Sequence, residues 1–436
     1  MILIKTLVFF AASIIGVLSF AAGDTDRTQP LLWSSAQKTH VELALSLCDT
    51  PQLKEVRREL IQLYEQTPSA QRADGRETLE SAVDELMFGM ILSTITPDPA
   101  HPPLVWNEAL PYSVDGFAVP GSRYAGDMPD RLYRNVAVDA AYSYEIRGTI
   151  DKETTLDFSI EALPGPGNWG LPPLAILQLK DMEVTEDGAF VISLDASPAN
   201  GRANHLQLPP GTVSLLIRDT ILDWGKHKPV ALEIRGMSDN APVSSTTMIN
   251  RATNQLRQAG KVSRAFYEGI WKREPNRLDP YVRDLGWGIV AINRFQLADD
   301  EALVVTLDPL SAGYLGLQAD DLWLRSADYV SHTSTLNNAQ ATPNADGTYT
   351  FVVAAQDPGY YNWIDTVGMN DGYLIGRWEL LSQTTTGEGA VREVRKVKLG
   401  ELETALPADA ARVTPEERRA QLAAREAAYL LRLGKR

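Results

Sequence analysis

Two stretches of this chain repeat one order of turn and strand residues, and few folds can accommodate that. Asp187-Gly188, Asn204 and Arg218 recur as Asp346-Gly347, Asn362 and Arg377, each step agreeing within one residue. Upstream, Val136-Ala137-Val138-Asp139 followed by Tyr144 parallels Val305-Thr306-Leu307-Asp308 followed by Tyr314. Asp-Gly marks a turn because glycine adopts positive φ without steric cost. A β unit present twice explains the pattern, and 436 residues leave room for two such units and their additions.

The segments around these markers are short, β-branched or aromatic, and bounded by Gly, Pro, Asn and Asp. Strands are expected over Asn135 to Val138, Tyr142 to Thr149, Thr154 to Ala162, Ala175 to Glu183, Ala189 to Leu194, Thr212 to Leu222 and Val230 to Arg235. A second set covers Glu301 to Leu307, Tyr314 to Leu317, Thr333 to Leu336, Thr348 to Ala355, Tyr373 to Leu381 and Val391 to Leu399. Helical spacing appears in Trp33 to Leu47, Gln52 to Thr67 and Glu77 to Ile95, whose apolar stripes should pack on the β unit that follows. It returns in Ser245 to Trp271, with Ile249, Ala252, Leu256, Ala259, Val262, Phe266 and Ile270 on one face. A last helix opens at Thr414-Pro415-Glu416-Glu417, an N-cap, a first-turn proline and a capping-box glutamate.

The fold class that follows is mainly β with helical additions (α+β): two tandem antiparallel β-sandwich units of jelly-roll type. The expected division is a signal at 1–23, a helical segment at 24–96, a first sandwich at 97–240, a connecting helix segment at 241–295, a second sandwich at 296–400 and a C-terminal helix at 401–436.

Lys5 followed by the apolar run Leu7 to Leu18 and the small residues Ala21-Ala22-Gly23 has the plan of a secretory signal. The mature chain is expected to begin between Ala22 and Asp24, and the protein to be exported, periplasmic or extracellular. The alternative is a segment retained as a membrane anchor. A formal net charge of −15 argues against nucleic acid as partner, because phosphate backbones need a basic surface. The single cysteine, Cys48, excludes a disulfide framework and a Cys-based metal site. His40, His101, His205, His227 and His332 show no ligand spacing, so no metal and no cofactor is expected. Gly165-Pro166-Gly167-Asn168-Trp169-Gly170 fits a dinucleotide fingerprint literally, but Leu171-Pro172-Pro173 cannot open the helix that would hold the pyrophosphate.

The run Ser334-Thr335-Leu336-Asn337-Asn338-Ala339-Gln340, with Asp346-Gly347, Asp357-Pro358-Gly359, Asn362-Trp363-Ile364-Asp365-Thr366, Gly368, Gly372 and Arg377, resembles the bacterial family known as domain of unknown function 1214. Gly126-Asp127-Met128-Pro129-Asp130 through Tyr133-Arg134 looks like that family's upstream loop, with Met128 where the family usually has asparagine. The resemblance implies a β-sandwich, often in exported proteins, and implies no activity.

The densest mix of aromatic and polar groups is Tyr360 to Thr366. Asp365 and Arg377 flank the Gly368 to Gly372 turn, where a carboxylate–guanidinium fork could clamp a ligand or lock a hairpin. Trp363 could stack on a flat ligand or plug a core. Asn337, Asn362, Trp363, Asp365 and Arg377 are therefore expected to converge in the second sandwich, as a site for a small polar or carbohydrate-like ligand. One alternative is a metal-independent hydrolase or lyase using Asp365 or His332 as acid or base. Another is a structural or assembly protein of the envelope.

Overall fold

The computed structural model describes residues 33–107, 109–114, 116–164, 173–237, 242–283, 288–383 and 386–432. The expected export signal and the Gly165–Gly170 motif lie outside them.

The N-terminal pattern forms α1 (Ser35–Cys48), α2 (Pro51–Glu65) and α3 (Ala73–Thr94). Ser34 caps α1 by accepting from Gln37 N at 3.1 Å, and Pro51 opens α2 where its missing N–H has no helical partner to lose. α4 spans Ser245–Trp271, as the spacing predicts. Its buried stripe runs through Met248, Ala252, Leu256, Ala259, Ser263, Tyr267 and Ile270, while Val262 and Phe266 are only partly covered. The rotation follows from close packing on α2. A Cβ at Gly260 would come within 2.3 Å of Leu60 Cδ2.

The first unit contains β1 (Val105–Asn107), β4 (Arg131–Ala137), β5 (Tyr144–Thr149), β6 (Asp157–Leu163), β7 (Ala175–Gln178), β8 (Ala189–Asp195), β9 (His205–Gln207), β10 (Ser214–Thr220) and β11 (Ala231–Gly236). A separate hairpin of β2 (Tyr112–Val114) and β3 (Phe117–Val119) follows β1. The second unit contains β12 (Pro280–Val282), β13 (Gly288–Gln296), β14 (Glu301–Leu307), β15 (Ala312–Asp320), β16 (Thr335–Asn337), β17 (Tyr349–Ala354), β18 (Trp363–Asp365), β19 (Asp371–Leu381) and β20 (Val391–Lys398). The five-stranded sheets run β1-β4-β10-β6-β7 and β12-β13-β19-β15-β16. The four-stranded sheets run β11-β5-β8-β9 and β20-β14-β17-β18. Strand for strand, the two orders are the same, so the unit is duplicated.

Alternation along the strands builds each sandwich. Val136, Ile146, Ile160, Ile192, Leu215 and Ile217 meet between the first pair of sheets, and Ile289, Val305, Leu317, Phe351, Val353 and Trp378 between the second. Two expectations are corrected. The four-stranded sheets are mixed, because β9 pairs parallel to β8 and β18 parallel to β17, while the five-stranded sheets are antiparallel throughout. Val136–Asp139 and Val305–Asp308 are not counterparts: the first ends β4 and the second ends β14, whose counterpart is β5. Both are apolar strand ends running into an aspartate turn, a chemistry that recurs at many strand ends.

α1 and α3 pack on β1 and β4 of the first unit, as expected, with Gln37 bonded to Trp106 N and O and Asn107 to Gly89 O. The core they share with α4 also takes in Val290, Ile292, Tyr373 and Ile375 on the outer face of the second five-stranded sheet. The outer face of the second four-stranded sheet is covered by α5 (Leu402–Ala405), with Ala302, Val304, Val352 and Trp363 beneath Leu402. The C-terminal helix α6 (Pro415–Arg432) buries Arg418, Arg425 and Arg432. Arg418 donates to Tyr360 O, Arg425 to Tyr329 O at 2.5 Å, and Arg432 to Pro129 O. α6 therefore fastens loops of the second unit to the loop that precedes β4. Among the described residues, no helix is long and apolar enough to cross a membrane.

Candidate functional site

The residues singled out in the second sandwich do not converge. Asn362 accepts from Thr342 N at 2.8 Å and donates to Thr342 O at 2.8 Å and Thr350 O at 3.0 Å. Asn204 binds Glu183 N and O in the same way, at 2.8 and 2.7 Å. The repeated asparagine is thus a backbone clamp beside the parallel strand, and that is why it recurs. Trp363 is a plug: its indole N–H donates to Ala354 O at 2.9 Å, and the Arg418 guanidinium lies 5.1 Å from its ring centre. Asn337 is buried, donates to Leu222 O at 2.9 Å and accepts from Ala339 N and Gln340 N.

Asp365 and Arg377 form no fork. On β18, Ile364 points into the sandwich core and Asp365 points away from it. On β19, Leu374 and Trp378 point in, so Arg377 points out through the other sheet. The two side chains lie on opposite outer faces, separated by the thickness of the sandwich. Asp365 instead holds His332 Nδ1 at 2.8 Å and Val367 N at 2.8 Å.

The hydrogen bond from Asp365 raises the pKa of His332 above its ordinary 6.5, against the lowering effect of partial burial. The raised folded value means that the pair's contribution is fully present below the unfolded pKa and is lost as pH rises through the folded one. Because the imidazole is half-exposed, that contribution should be under about 1 kcal/mol. A thermal-midpoint comparison of wild type and Asp365→Asn should show their difference shrinking between pH 6 and pH 8. A difference that is flat with pH would remove the pair.

Arg377 belongs to a different place. The outer faces of the two five-stranded sheets enclose a cavity of about 80 Å³. On β4, Val136 faces the sandwich core, so Arg131, Tyr133 and Asn135 face the cavity; on β10, Leu215 and Ile217 face in, so Ser214, Leu216 and Arg218 face out. Arg377 and Glu379 of β19 and Arg283, just beyond β12, form the opposite wall.

The floor is the loop 124–128, held by both units. Gly126 has φ +72, a backbone conformation that strains any other residue, and a Cβ there would meet Ile375 Cδ1 at 3.0 Å, so that side chain would have to shift. Gly126 N donates to Leu324 O at 2.8 Å, and Gly126 O accepts from Arg377. Asp127 accepts from Ser326 N at 2.9 Å and Ser326 Oγ at 2.5 Å. Asp130 accepts from Trp224 Nε1 at 2.7 Å and Tyr314 Oη at 2.8 Å, joining a first-unit residue to a second-unit one.

Four guanidiniums thus surround one small space, and their neutralisation is uneven. Arg131 pairs with Glu379. Arg218 pairs with Glu161, which lies two residues beyond its cross-strand neighbour Ser159. At the matching place relative to Arg377, two residues beyond Gly316, stands Gln318. Arg377 donates to Gln318 Oε1 and Gly126 O, both neutral, and has no ion pair among the described residues. Burial pushes the Arg283 guanidinium down to about 10, opposed by Glu379 and assisted by Arg131 and Arg377. Beneath the floor, Gln318 Nε2 bridges Asp127 O at 2.8 Å and Asp320 Oδ1 at 2.6 Å. Burial raises both carboxyls, Asp127 to about 6, and the charge of Asp127 raises Asp320 further by repulsion.

Sequence reasoning found Arg377 and quoted the loop from Gly126, but gave no role to Arg131, Arg218, Arg283 or Glu379. Charged residues at alternate positions of a strand read as a solvent face. Only the packing of one sheet on the other turns that face inward.

No family model matches the chain, and no curated protein matches it. Among solved structures, an uncharacterised protein from Burkholderia cenocepacia is similar, with TM-score 0.67 and 24% identity over 82% of this chain and 99% of the other. That likeness shows the fold. A protein from Vibrio parahaemolyticus aligns over 63% of this chain and 90% of its own, with 12% identity and TM-score 0.38.

Proposed function

We propose that this protein binds a small anion, of carboxylate or phosphate class, in the cavity between its two five-stranded sheets. The observation that carries the reading is Arg377, a buried guanidinium at the cavity wall whose two hydrogen-bond acceptors are neutral. No carboxylate bonds Arg377 directly, and Asp320, which attracts it, is pushed by burial well above its ordinary range; an anion bridging Arg377 and Arg283 would supply the missing counter-charge. The ligand-binding role expected for the second sandwich thus moves to the junction of the two. Neither Asp365 nor His332, the candidates of the acid–base alternative, lines this cavity. Export to the envelope and kinship with the domain of unknown function 1214 family belong to the same proposal. They rest on the N-terminal residue plan and on the motifs quoted above.

The test is thermal unfolding of the chain in acetate, phosphate and sulfate at constant ionic strength. A ligand at one hundred times its Kd stabilises by about 2.7 kcal/mol, so the midpoint should climb with one of these anions and saturate. Arg377→Gln should abolish the rise, because the amide removes the charge from the wall. A wild-type midpoint indifferent to all three anions would overturn the reading.

A further inference from the structure

Beside the cationic cavity lies a second one, of about 90 Å³, with a different character. Its wall includes Trp33, Phe88, Leu92, Trp106, Tyr112 and Tyr429. Trp33 and Tyr112 meet edge to face, with ring centres 6.2 Å apart. The two cavities share Arg131 and Tyr133. The strand pairing accounts for this. β1 covers the edge of β4 only from Tyr133 to Asn135, so the start of β4, at Arg131 and Leu132, stands beyond the end of β1. There a residue of either parity can reach the second space, and Arg131 and Leu132 both do.

A polar atom in this apolar wall points to a ligand. Asn107 is buried and lines the second cavity. Its Nδ2 donates to Gly89 O at 3.0 Å and to Asn135 Oδ1 at 3.1 Å, which fixes the orientation of the amide. Its Oδ1 has no hydrogen-bond partner among the described residues. Leaving such an acceptor unpaired costs about 1–3 kcal/mol, so an occupant with an N–H or O–H is favoured over one without. Asn135, its bonded neighbour, lines the cationic cavity, so the Asn107–Asn135 pair links the two spaces.

We propose that the two cavities are one site for an amphipathic organic acid, an aryl carboxylate bearing a hydroxyl or amino group. The carboxylate lies toward Arg377 and Arg131, the ring lies among Trp106, Phe88 and Tyr112, and the donor reaches Asn107 Oδ1. This rests on the anion-binding reading above and adds the nature of the ligand's body. The aromatic cavity alone is smaller than the roughly 150 Å³ that takes up benzene, and only the two spaces together reach that size. Burial of one ring face on the aromatic wall is the kind of contact that separates such a ligand from a bare anion.

The experiment is calorimetric titration of the full chain with acetate, 4-hydroxybenzoate and phenol. The hydroxybenzoate should bind at least about tenfold more tightly than either of the others. Tyr112→Ala should lower its affinity toward that of acetate while leaving acetate unchanged, and Arg377→Gln should weaken both acids. Equal affinities for acetate and hydroxybenzoate in wild type, which needs no variant to fold, would overturn the inference and leave the anion site standing. Phenol binding as tightly as the acid would overturn it too, because the charged end would then be idle. Hydroxybenzoate affinity that survives Tyr112→Ala intact would put the ring elsewhere and overturn it. If none of the three binds, the anion-binding reading fails, and this inference with it.

Discussion

Replacing Glu85 by alanine should destabilise the protein by about 3–5 kcal/mol, the usual cost of removing one partner from a buried ionic cluster. Glu85 lies on α3 at 2% exposure. Its Oε1 accepts from Arg123 Nη2 at 2.6 Å and Arg325 Nη1 at 2.8 Å. Its Oε2 accepts from Arg123 Nε at 2.9 Å and Arg123 N at 3.1 Å. One carboxylate thus ties a helix to the segment ahead of the cavity floor and to the loop that follows β15. Alanine leaves two guanidiniums poorly solvated. Arg325 retains Asp321 and Ser81 Oγ, and Arg123 retains its bond to Ser326 O at 2.6 Å. Urea unfolding should show the loss as a lower midpoint with an unchanged slope. Glu85→Gln, which keeps the shape and part of the bonding, should fall between the two. A loss below about 1 kcal/mol for alanine would mean that water reaches the cluster and screens it.

The second large effect is a dependence on pH at Asp127. Burial raises this carboxyl from its ordinary 3.8 to about 6, against the two donors of Ser326 and the charge of Arg123, with Glu85 adding repulsion. Asp320, across Gln318, is also raised, by burial and then by the charge of Asp127, so the two titrate together. The folded protein therefore holds a proton that the unfolded chain gives up at lower pH. Stability falls as pH rises from about 4 to about 6 and is level above that, by up to about 3 kcal/mol for such a shift. Asp127→Asn removes this contribution, and the serine hydroxyl can reverse to accept from the new amide. The variant should gain on wild type by that amount between pH 4 and pH 7, read as the difference of two unfolding free energies. A difference constant across the range would show that Asp127 is ionised throughout.

Local patterns in the sequence reached the elements and stopped at their assembly. Ser245 to Trp271 is legible because a run of that length with helical spacing and a serine cap has no competing reading. Asn204 and Asn362 are legible as equivalents because each clamps its own neighbourhood, so the local sequence carries the constraint. The Val136 and Val305 segments mislead because an apolar strand ending in aspartate is common chemistry. The site was legible only at Arg377 and in the loop from Gly126. Placing Arg377 with Asp365 assumed that neighbours across a turn share a face. Alternation sent one outward through each sheet of the sandwich. The actual partners, Gln318 and Gly126 O, and the opposing arginines of β4 and β10, are remote in sequence. Nothing short of the packed units brings them together.

The duplication has a consequence for the shape of recognition. Two identical sandwiches meeting through a two-fold axis would present self-complementary walls, each contact repeated by its mate. Any anion held at the centre would then see the same charge on both sides. Fusing the copies in one chain removes that symmetry. The arginine has been kept at both corresponding positions, as Arg218 and Arg377, while the acceptor beside it is glutamate in one copy and glutamine in the other. Arg218 has a carboxylate bonded to it and Arg377 has none. An anion held as proposed would therefore be drawn toward Arg377, because glutamine stands where the first unit has glutamate.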